Sequence, residues 1–212
     1  KPSYTYTTGS SAVSLTVSFS LDMSTMPKSP FTDVVAGSWY FDAALYASSH
    51  NLMLGTSPTE FSPNITMTRG MLVTVLYRMN GSPSVSGKTP FTDVRTDEWY
   101  SAAVLWAYQN GIVTGMSDTT FDPINNVTRE QMATILFRYT KTAAPDKAKA
   151  SADLSGFADA GSVNDWAVDA MRWAVGQKLI AGITLEQSVY LQPRGNATRA
   201  QAATVLTRYY AQ

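Results

Sequence analysis

An internal repeat constrains the fold of this chain more than any other feature of its sequence. The motif Phe-x-Asp occurs at residues 31–33, 91–93 and 157–159. Each copy is followed by a tryptophan, an apolar segment, a glycine, a proline-containing loop and a Thr-Arg pair, always in the same order. So many ordered coincidences in three copies predict a tandem-repeat protein.

The copies divide the chain into four segments. We assign the repeats to residues 25–84, 85–146 and 147–212, and residues 1–24 to a separate N-terminal segment. The joins between repeats are short and lie around residues 81–87 and 143–153. A unit of about 60 residues buries little apolar surface alone. Adjacent repeats are therefore expected to pack on one another and to share one core.

Each repeat predicts two helices that flank a polar, turn-rich loop. In the first repeat, apolar residues recur at helical spacing between Trp39 and about Met53. The expected N-caps of the three first helices are Ser38, Asp97, and either Asn164 or Asp165. A glycine after each helix fits a left-handed closing residue, and these glycines are Gly55, Gly115 and Gly182.

The second helix of each repeat is expected to begin at a threonine. Thr128 and Thr198 are each followed three residues later by a glutamine, which is the capping-box pattern of a helix start. Thr68 has Met71 at that position, so the first repeat lacks the reciprocal bond. The sequence thus predicts a mainly α fold of three helix-loop-helix repeats.

The N-terminal segment has a different periodicity. Val13, Leu15, Val17, Phe19 and Leu21 alternate with serine and threonine, as in a half-buried strand. A single strand requires a partner, which we expect in an upstream β domain or elsewhere outside the repeats. The segment predicts a short N-terminal β-strand beside the helices.

Charge and composition argue against several classes of function. The 16 basic and 16 acidic residues give a formal net charge of zero, which disfavours nucleic-acid binding. With no cysteine and a single histidine, His50, the chain lacks a Cys–His pair and the usual zinc ligands. No apolar run is long enough to span a membrane. We therefore expect no metal, no cofactor, no nucleic-acid partner and no membrane insertion.

Catalysis is also disfavoured. A pair of carboxylates, the machinery of many glycosidases, is compatible with the composition. Threefold repetition, however, suits multivalent binding better than a single catalytic pair. We expect no catalytic residues.

The Thr-Arg pair is the most informative feature for function. The positive end of the helix dipole disfavours a cation, so three arginines at helix starts suggest that each receives an anion. A guanidinium and free helix N–H groups could together hold a carboxylate or phosphate. Alternatively, each arginine pairs with the aspartate of its own repeat or stacks on its tryptophan. The residues concerned are Arg69, Arg129 and Arg199 with Asp33, Asp93 and Asp159.

The repeated tryptophans admit two roles. Trp39, Trp99 and Trp166 could stack on a pyranose ring, but aromatic residues at helical spacing more often belong to a core, which is the interpretation we favour. The repeated aspartates are interpreted first as turn or capping residues. The glycines are interpreted as backbone devices that would also let a ligand approach.

Together these motifs resemble the S-layer homology (SLH) family, and the resemblance covers roughly residues 31–212 in all three copies. It implies a mainly helical, pseudo-threefold spindle that attaches secreted proteins to the secondary cell-wall polysaccharide of bacteria. Binding in the family typically involves a pyruvate ketal on the terminal sugar. By resemblance, Arg69, Arg129 and Arg199 would meet the pyruvyl carboxylate in grooves between repeats.

The resemblance implies a non-catalytic, extracellular anchor in a bacterial cell wall, with the aspartates, tryptophans and glycines shaping the grooves. Self-assembly through an upstream region is a further option. The alternative function is a protein–protein assembly module of a surface layer that binds no glycan. Residues 58–61 and 118–121 lack the Asp-Gly of the family loops, and residues 185–191 form a longer loop. We therefore expect unequal grooves, with the second repeat the most regular and the third the most divergent.

Overall fold

A computed structural model describes residues 4–8, 11–15, 28–149 and 151–211. Within these residues the protein is mainly α, as the repeats predict. Each repeat contributes two helices joined by a loop. The helices are α1 (Phe41–Ser49), α2 (Arg69–Met79), α3 (Ser101–Gln109), α4 (Arg129–Ala143), α5 (Val168–Gly176) and α6 (Arg199–Tyr210).

The N-terminal segment forms a hairpin. Strand β1 (Tyr4–Thr8) pairs antiparallel with β2 (Ser11–Leu15), and Tyr4 lies opposite Leu15. The strand partner that the sequence left open is therefore the preceding part of the same segment. Val17, Phe19 and Leu21, which the alternation also assigned to a strand, lie outside the described residues.

A second hairpin occupies the long loop of the third repeat. Strand β3 (Ile183–Leu185) pairs with β4 (Ser188–Tyr190), and Glu186 adopts a left-handed φ of 53° at the turn. The sequence marked this loop as atypical but did not predict strands in it. Three residues on each side are too few for a clear alternation.

The second helices begin where the sequence predicts. The hydroxyls of Thr68, Thr128 and Thr198 each accept a hydrogen bond from the N–H three residues on, at 3.2–3.3 Å. The reciprocal glutamine bond completes a capping box at Thr128 and Thr198. Met71 cannot supply it in the first repeat. These three starts are confirmed.

The first helices begin later than expected, and their predicted side-chain caps are wrong. The predicted caps are Ser38, Asp97 and either Asn164 or Asp165. The observed N-cap positions are Tyr40, Tyr100 and Ala167, none with a side-chain cap bond. A backbone turn precedes α1, in which the N–H of Phe41 donates to the Ser38 carbonyl at 3.0 Å. Because that turn already satisfies a first-turn N–H, no side-chain acceptor is required.

The first helices close on left-handed residues, but not on the predicted glycines. The φ angle is 55° at Asn51, 67° at Gly111 and 58° at Lys178. In α1, the N–H of Asn51 donates to the Ser48 carbonyl and the next N–H to the Ala47 carbonyl, the two bonds of a Schellman motif. Gly55, Gly115 and Gly182 lie beyond these closures, so their prediction as closing residues is wrong.

Helices pair between repeats. Helix α2 packs on α3, α4 packs on α5, and α6 packs on α1. The second helix of each repeat thus contacts the first helix of the next, and the third repeat closes onto the first. Buried apolar side chains from all three repeats form one cluster. This cyclic arrangement agrees with the pseudo-threefold, shared-core fold expected from the sequence.

A ring of three backbone hydrogen bonds lies where the repeats meet. The N–H of Met67 donates to the Ala197 carbonyl at 2.8 Å, that of Ala197 to Val127 at 2.9 Å, and that of Val127 to Met67 at 2.9 Å. All three residues are fully buried, so each bond satisfies a group that water cannot reach. Because each Thr-Arg pair follows directly, the ring places the three arginines around one centre.

Candidate functional site

Three grooves bring the repeated residues together. Each combines the glycine loop and second helix of one repeat with a tryptophan from the next repeat and an arginine from the previous one. Their volumes are about 340, 350 and 490 Å³ for grooves 1, 2 and 3. The sets are Gly55, Trp99 and Arg199 in groove 1; Gly115, Trp166 and Arg69 in groove 2; and Gly182, Trp39 and Arg129 in groove 3.

Each groove arginine is anchored to the backbone of the next repeat. The Nε atoms of Arg69, Arg129 and Arg199 donate to the carbonyls of residues 121, 191 and 61 at 2.9, 2.7 and 2.8 Å. The arginines are only 5–6% exposed. Among the described residues, no fully shielded side-chain nitrogen or oxygen lacks a partner. The guanidinium nitrogens without a hydrogen bond therefore face the grooves.

Within the described residues, no carboxylate lies close enough to form an ion pair with these arginines. The ion pairs formed within the described part of the chain, Arg95–Asp97 and Lys149–Asp146, are exposed and lie elsewhere. Burial lowers the pKa of all three groove arginines, and the opposing effect of nearby aspartates does not cancel it. A buried cation without a counter-ion is costly. An anionic ligand would relieve this cost.

The N–H groups at the starts of the second helices already have hydrogen-bond acceptors. The prediction that these N–H groups bind the anion is therefore wrong. In α2, the N–H groups of Arg69 and Gly70 donate to the carbonyls of Asn125 and Pro123 at 3.0 and 2.8 Å. Helices α4 and α6 make the equivalent bonds to the third and first repeats. Docking of the neighbouring loop therefore satisfies the groups that were expected to bind the ligand. The guanidinium is therefore the predicted group that is still able to bind an anion.

The repeated aspartates hold the loops on which the arginines rest. The two oxygens of Asp93 accept hydrogen bonds from the N–H groups of Phe121 and Asp122 at 2.9 and 2.6 Å. Asp33 and Asp159 accept the equivalent pairs in their own loops. Each aspartate thus binds N–H groups 28–33 residues further along the chain, not those of a local turn or helix start as first interpreted. The alternative in which each arginine pairs with the aspartate of its own repeat is wrong. Arg69 donates to the Phe121 carbonyl, and the Phe121 N–H donates to Asp93 of the next repeat.

Two of the arginines also lie over an aromatic ring. The guanidinium carbon of Arg69 is 4.7 Å from the centre of the Phe121 ring, and that of Arg199 is 4.8 Å from the Phe61 ring. These phenylalanines, and not the tryptophans, are the stacking partners. Leu191 occupies the equivalent position below Arg129, so groove 3 has no ring there to contribute a cation–π contact.

The tryptophans are exposed, and the favoured core interpretation is wrong. Trp39, Trp99 and Trp166 are 66%, 56% and 54% exposed. Their indole faces are available to a ligand. In the second and third repeats, the aromatic residue seven positions further on belongs to the core instead, since Trp106 and Trp173 are buried.

The groove glycines are required by close packing of the loop. A Cβ atom at Gly115 would lie 2.5 Å from the Ser117 carbonyl oxygen and 2.6 Å from the Phe91 ring. Gly55 and Gly182 are equally crowded, each by a phenylalanine ring. These residues shape the groove through the backbone, as the sequence interpretation expected.

Replacing Gly115 with alanine is expected to lower the free energy of unfolding by about 2–3 kcal/mol, because the φ of 81° and the backbone contact both oppose a side chain. Gly111→Ala is the matched control, since Gly111 also has positive φ but has open space around it. That control should lose only about 1 kcal/mol. Urea unfolding followed by circular dichroism measures both, and equal losses would contradict the crowding argument.

One buried carboxylate was not predicted from the sequence. Glu130, the second residue of α4, is 2% exposed, and its oxygens accept hydrogen bonds from the backbone N–H and side-chain amide of Asn164 at 3.0 and 2.5 Å. Asn164 stands just before Trp166, so Glu130 fixes the segment that carries the tryptophan of groove 2. The sequence contains one indication of this difference. The residues equivalent to Glu130 in the first and third repeats are the small residues Gly70 and Ala200.

A second arginine, which was not predicted as a site residue, lines each groove. Arg138 donates to the Thr114 hydroxyl at 3.2 Å, and Arg208 donates to the Leu179 carbonyl at 3.2 Å. Arg78 lies at the equivalent place in groove 1. No acidic residue lines any of the three grooves. Each groove is therefore locally positive although the chain is neutral.

Three segments of the chain, residues 30–70, 90–133 and 156–203, match the family described as S-layer homology domain. The chain belongs to this family. Each matched segment contains one Phe-x-Asp motif, one groove tryptophan and one Thr-Arg pair. One matched segment therefore lies within each of the three repeats recognised from the sequence.

Similar proteins include both surface proteins and enzymes. The chain is 33% identical over 178 residues to an endoglucanase of Bacillus sp. (strain KSM-635), covering 84% of this chain and 18% of that protein. It is 31% identical over 154 residues to the surface-layer 125 kDa protein of Lysinibacillus sphaericus, covering 73% and 12%. It is 28% identical over 176 residues to an amylopullulanase of Thermoanaerobacterium thermosulfurigenes, covering 83% and 9%. The chain thus spans 18% or less of these relatives.

Family membership and the surface-layer relatives indicate a location at the cell wall or cell surface. SLH domains are non-catalytic and bind cell-wall polymers, which supports a wall-anchoring role. In the described parts of the chain, no helix combines the length and apolarity needed to cross a membrane.

Proposed function

We propose that this chain anchors a protein to the wall by binding a pyruvylated secondary cell-wall polysaccharide in its three grooves. The observation that carries the proposal is the pairing, in each groove, of a buried guanidinium without a counter-ion and an exposed indole. The pyruvyl carboxylate accepts hydrogen bonds from Arg69, Arg129 or Arg199. The sugar ring packs against the tryptophan that forms the opposite side of the groove.

The charge of the grooves supports an acidic ligand. Each groove contains two arginines and no carboxylate among its lining residues. An acidic sugar therefore gains a charge-assisted hydrogen bond without displacing an internal ion pair. A neutral glycan would leave the buried guanidinium uncompensated.

The three grooves are not equivalent, and groove 2 has the most complete site. Arg199 in groove 1 donates a second hydrogen bond, from Nη2 to the Leu54 carbonyl at 2.6 Å, which leaves fewer N–H groups for a ligand. Arg129 in groove 3 rests against Leu191 rather than a ring. Arg69 in groove 2 has the Phe121 ring and donates only its Nε–H within the described residues. We expect groove 2 to bind the carboxylate most tightly.

Sedimentation with purified Gram-positive wall sacculi tests the proposal. The wild-type chain should sediment with untreated sacculi and much less with sacculi from which the pyruvyl groups have been removed. Trp166→Ala should weaken binding about fivefold, because one aromatic contact of about 1 kcal/mol is lost and the ring is not part of the core. Arg69→Lys should also weaken binding, because lysine retains the charge but cannot present a planar fork.

Circular dichroism of each variant separates lost binding from lost folding. Equal binding to sacculi with and without pyruvyl groups would reject the ketal as the ligand. Binding to no wall preparation, together with salt-insensitive self-association, would instead support the assembly-module alternative.

A further inference from the structure

A recess of about 450 Å³ adjoins groove 1 and is separate from the three grooves. His50, Asn51, Gly81 and Tyr210 contribute to its lining. Leu54 and Arg78 line both this recess and groove 1. The recess and the groove therefore adjoin each other along these two side chains.

An aromatic surface borders the recess. The imidazole of His50 stacks on the Tyr46 ring, with ring centres 3.9 Å apart and planes at 20°. The ring of Tyr210 lies 5.9 Å from His50 and is 49% exposed. Tyr210 comes from the end of α6, which packs on α1 where the third repeat closes onto the first. This closure places an exposed aromatic face beside groove 1.

Polar groups of the recess complement a sugar hydroxyl. The Nδ1 atom of His50 lies 2.9 Å from the Tyr46 carbonyl. A carbonyl can only accept, so Nδ1 carries the proton and Nε2 of the neutral ring is an acceptor. No residue in the described ranges donates to Nε2. The exposed guanidinium of Arg78 supplies donors on the side shared with groove 1.

The repeats differ at these positions. The residue equivalent to His50 is Asn110 in the second repeat and Gln177 in the third. The residue equivalent to Tyr210 is Asn80 at the end of α2 and Thr140 in α4. Thr140 is fully buried. The combination of an imidazole and an exposed phenol ring therefore belongs to groove 1.

We propose that this recess binds the second sugar residue of the wall polysaccharide whose terminal acidic residue occupies groove 1. The inference rests on the proposed function and extends it from one sugar residue to two. The phenol ring of Tyr210 packs against the sugar face, while His50 and Arg78 bind its hydroxyls. Since Arg199 donates to Leu54, groove 1 has a reduced carboxylate contact, and the recess compensates with contacts to a neutral sugar.

Calorimetric titration with two synthetic fragments tests this subsite. The fragments are a pyruvylated monosaccharide and a disaccharide that ends in the same pyruvylated residue. In the background variant Trp39→Ala/Trp166→Ala, groove 1 is the groove that keeps its tryptophan. In that background the disaccharide should bind about tenfold tighter than the monosaccharide, as one added aromatic–sugar contact allows. Tyr210→Ala should remove most of this gain and leave monosaccharide affinity unchanged.

Tyr108→Ala, which removes another partly exposed tyrosine that lines neither the recess nor any of the three grooves, is the matched control and should alter neither affinity. Circular dichroism establishes that each variant is folded. The subsite is wrong if the disaccharide binds no tighter than the monosaccharide, or if Tyr210→Ala retains the gain. If the wild-type chain binds neither fragment, the proposed function fails together with the subsite.

Discussion

A chain that ends after Ala143, without the third repeat, is expected not to fold. Its helix α1 would lose α6, the helix on which it packs. Met67 would lose its acceptor, the Ala197 carbonyl, and the Phe61 carbonyl would lose its donor, Arg199. In an open solenoid, removing a terminal repeat costs one interface. In this closed ring it costs two, and we expect the loss of both to exceed the typical stability of about 5–15 kcal/mol.

Far-UV circular dichroism and urea titration measure this loss. The matched control is a circular permutant with the order second, third and first repeat, joined by a Gly/Ser linker between residues 211 and 28. The permutant keeps every contact between repeats and should unfold cooperatively. A cooperative transition in the truncated chain would mean that two repeats suffice and that ring closure is not essential.

The sequence predicted best those features that depend on neighbouring residues. The second-helix starts were correct because a threonine cap and a glutamine three residues later interact within one turn. The first-helix starts were wrong because a backbone turn, in which Phe41 donates to Ser38, replaced the side-chain cap. Nothing in the residue types distinguishes these two ways of satisfying an N–H group. Element boundaries therefore failed where the backbone supplied its own acceptor.

Two errors at the site have a different origin. Trp39 was assigned to the core because of helical spacing, but it precedes α1 and lies outside the helix to which that spacing applies. A pair between each arginine and the aspartate of its own repeat was one of the alternatives left open, whereas the Phe121 backbone links Arg69 to Asp93 of the next repeat. A repeating sequence looks the same whether equivalent contacts form inside units or from each unit to the next. Only the ring closure through Met67, Val127 and Ala197 decides this.

Replacing all three groove tryptophans with alanine is expected to abolish wall binding while leaving the fold intact. The residues are 54–66% exposed, and the contacts they lose are limited, such as edge contacts of Trp39 and Trp99 with the next tyrosine. Each replacement should therefore cost about 1 kcal/mol of stability or less. Each groove that is lost, in contrast, removes one attachment point to a polymer that presents many ligands.

The expected loss follows from multivalency. When one groove is bound, the others meet the same wall at a high effective concentration, and avidity exceeds single-site affinity by about 10²–10⁴. The single variants Trp39→Ala, Trp99→Ala and Trp166→Ala retain two grooves and should remain partly bound. The triple variant should fall below detection in sacculus sedimentation, with an unchanged circular dichroism spectrum. If one single variant already loses as much as the triple variant, then one groove binds the wall and multivalency is wrong.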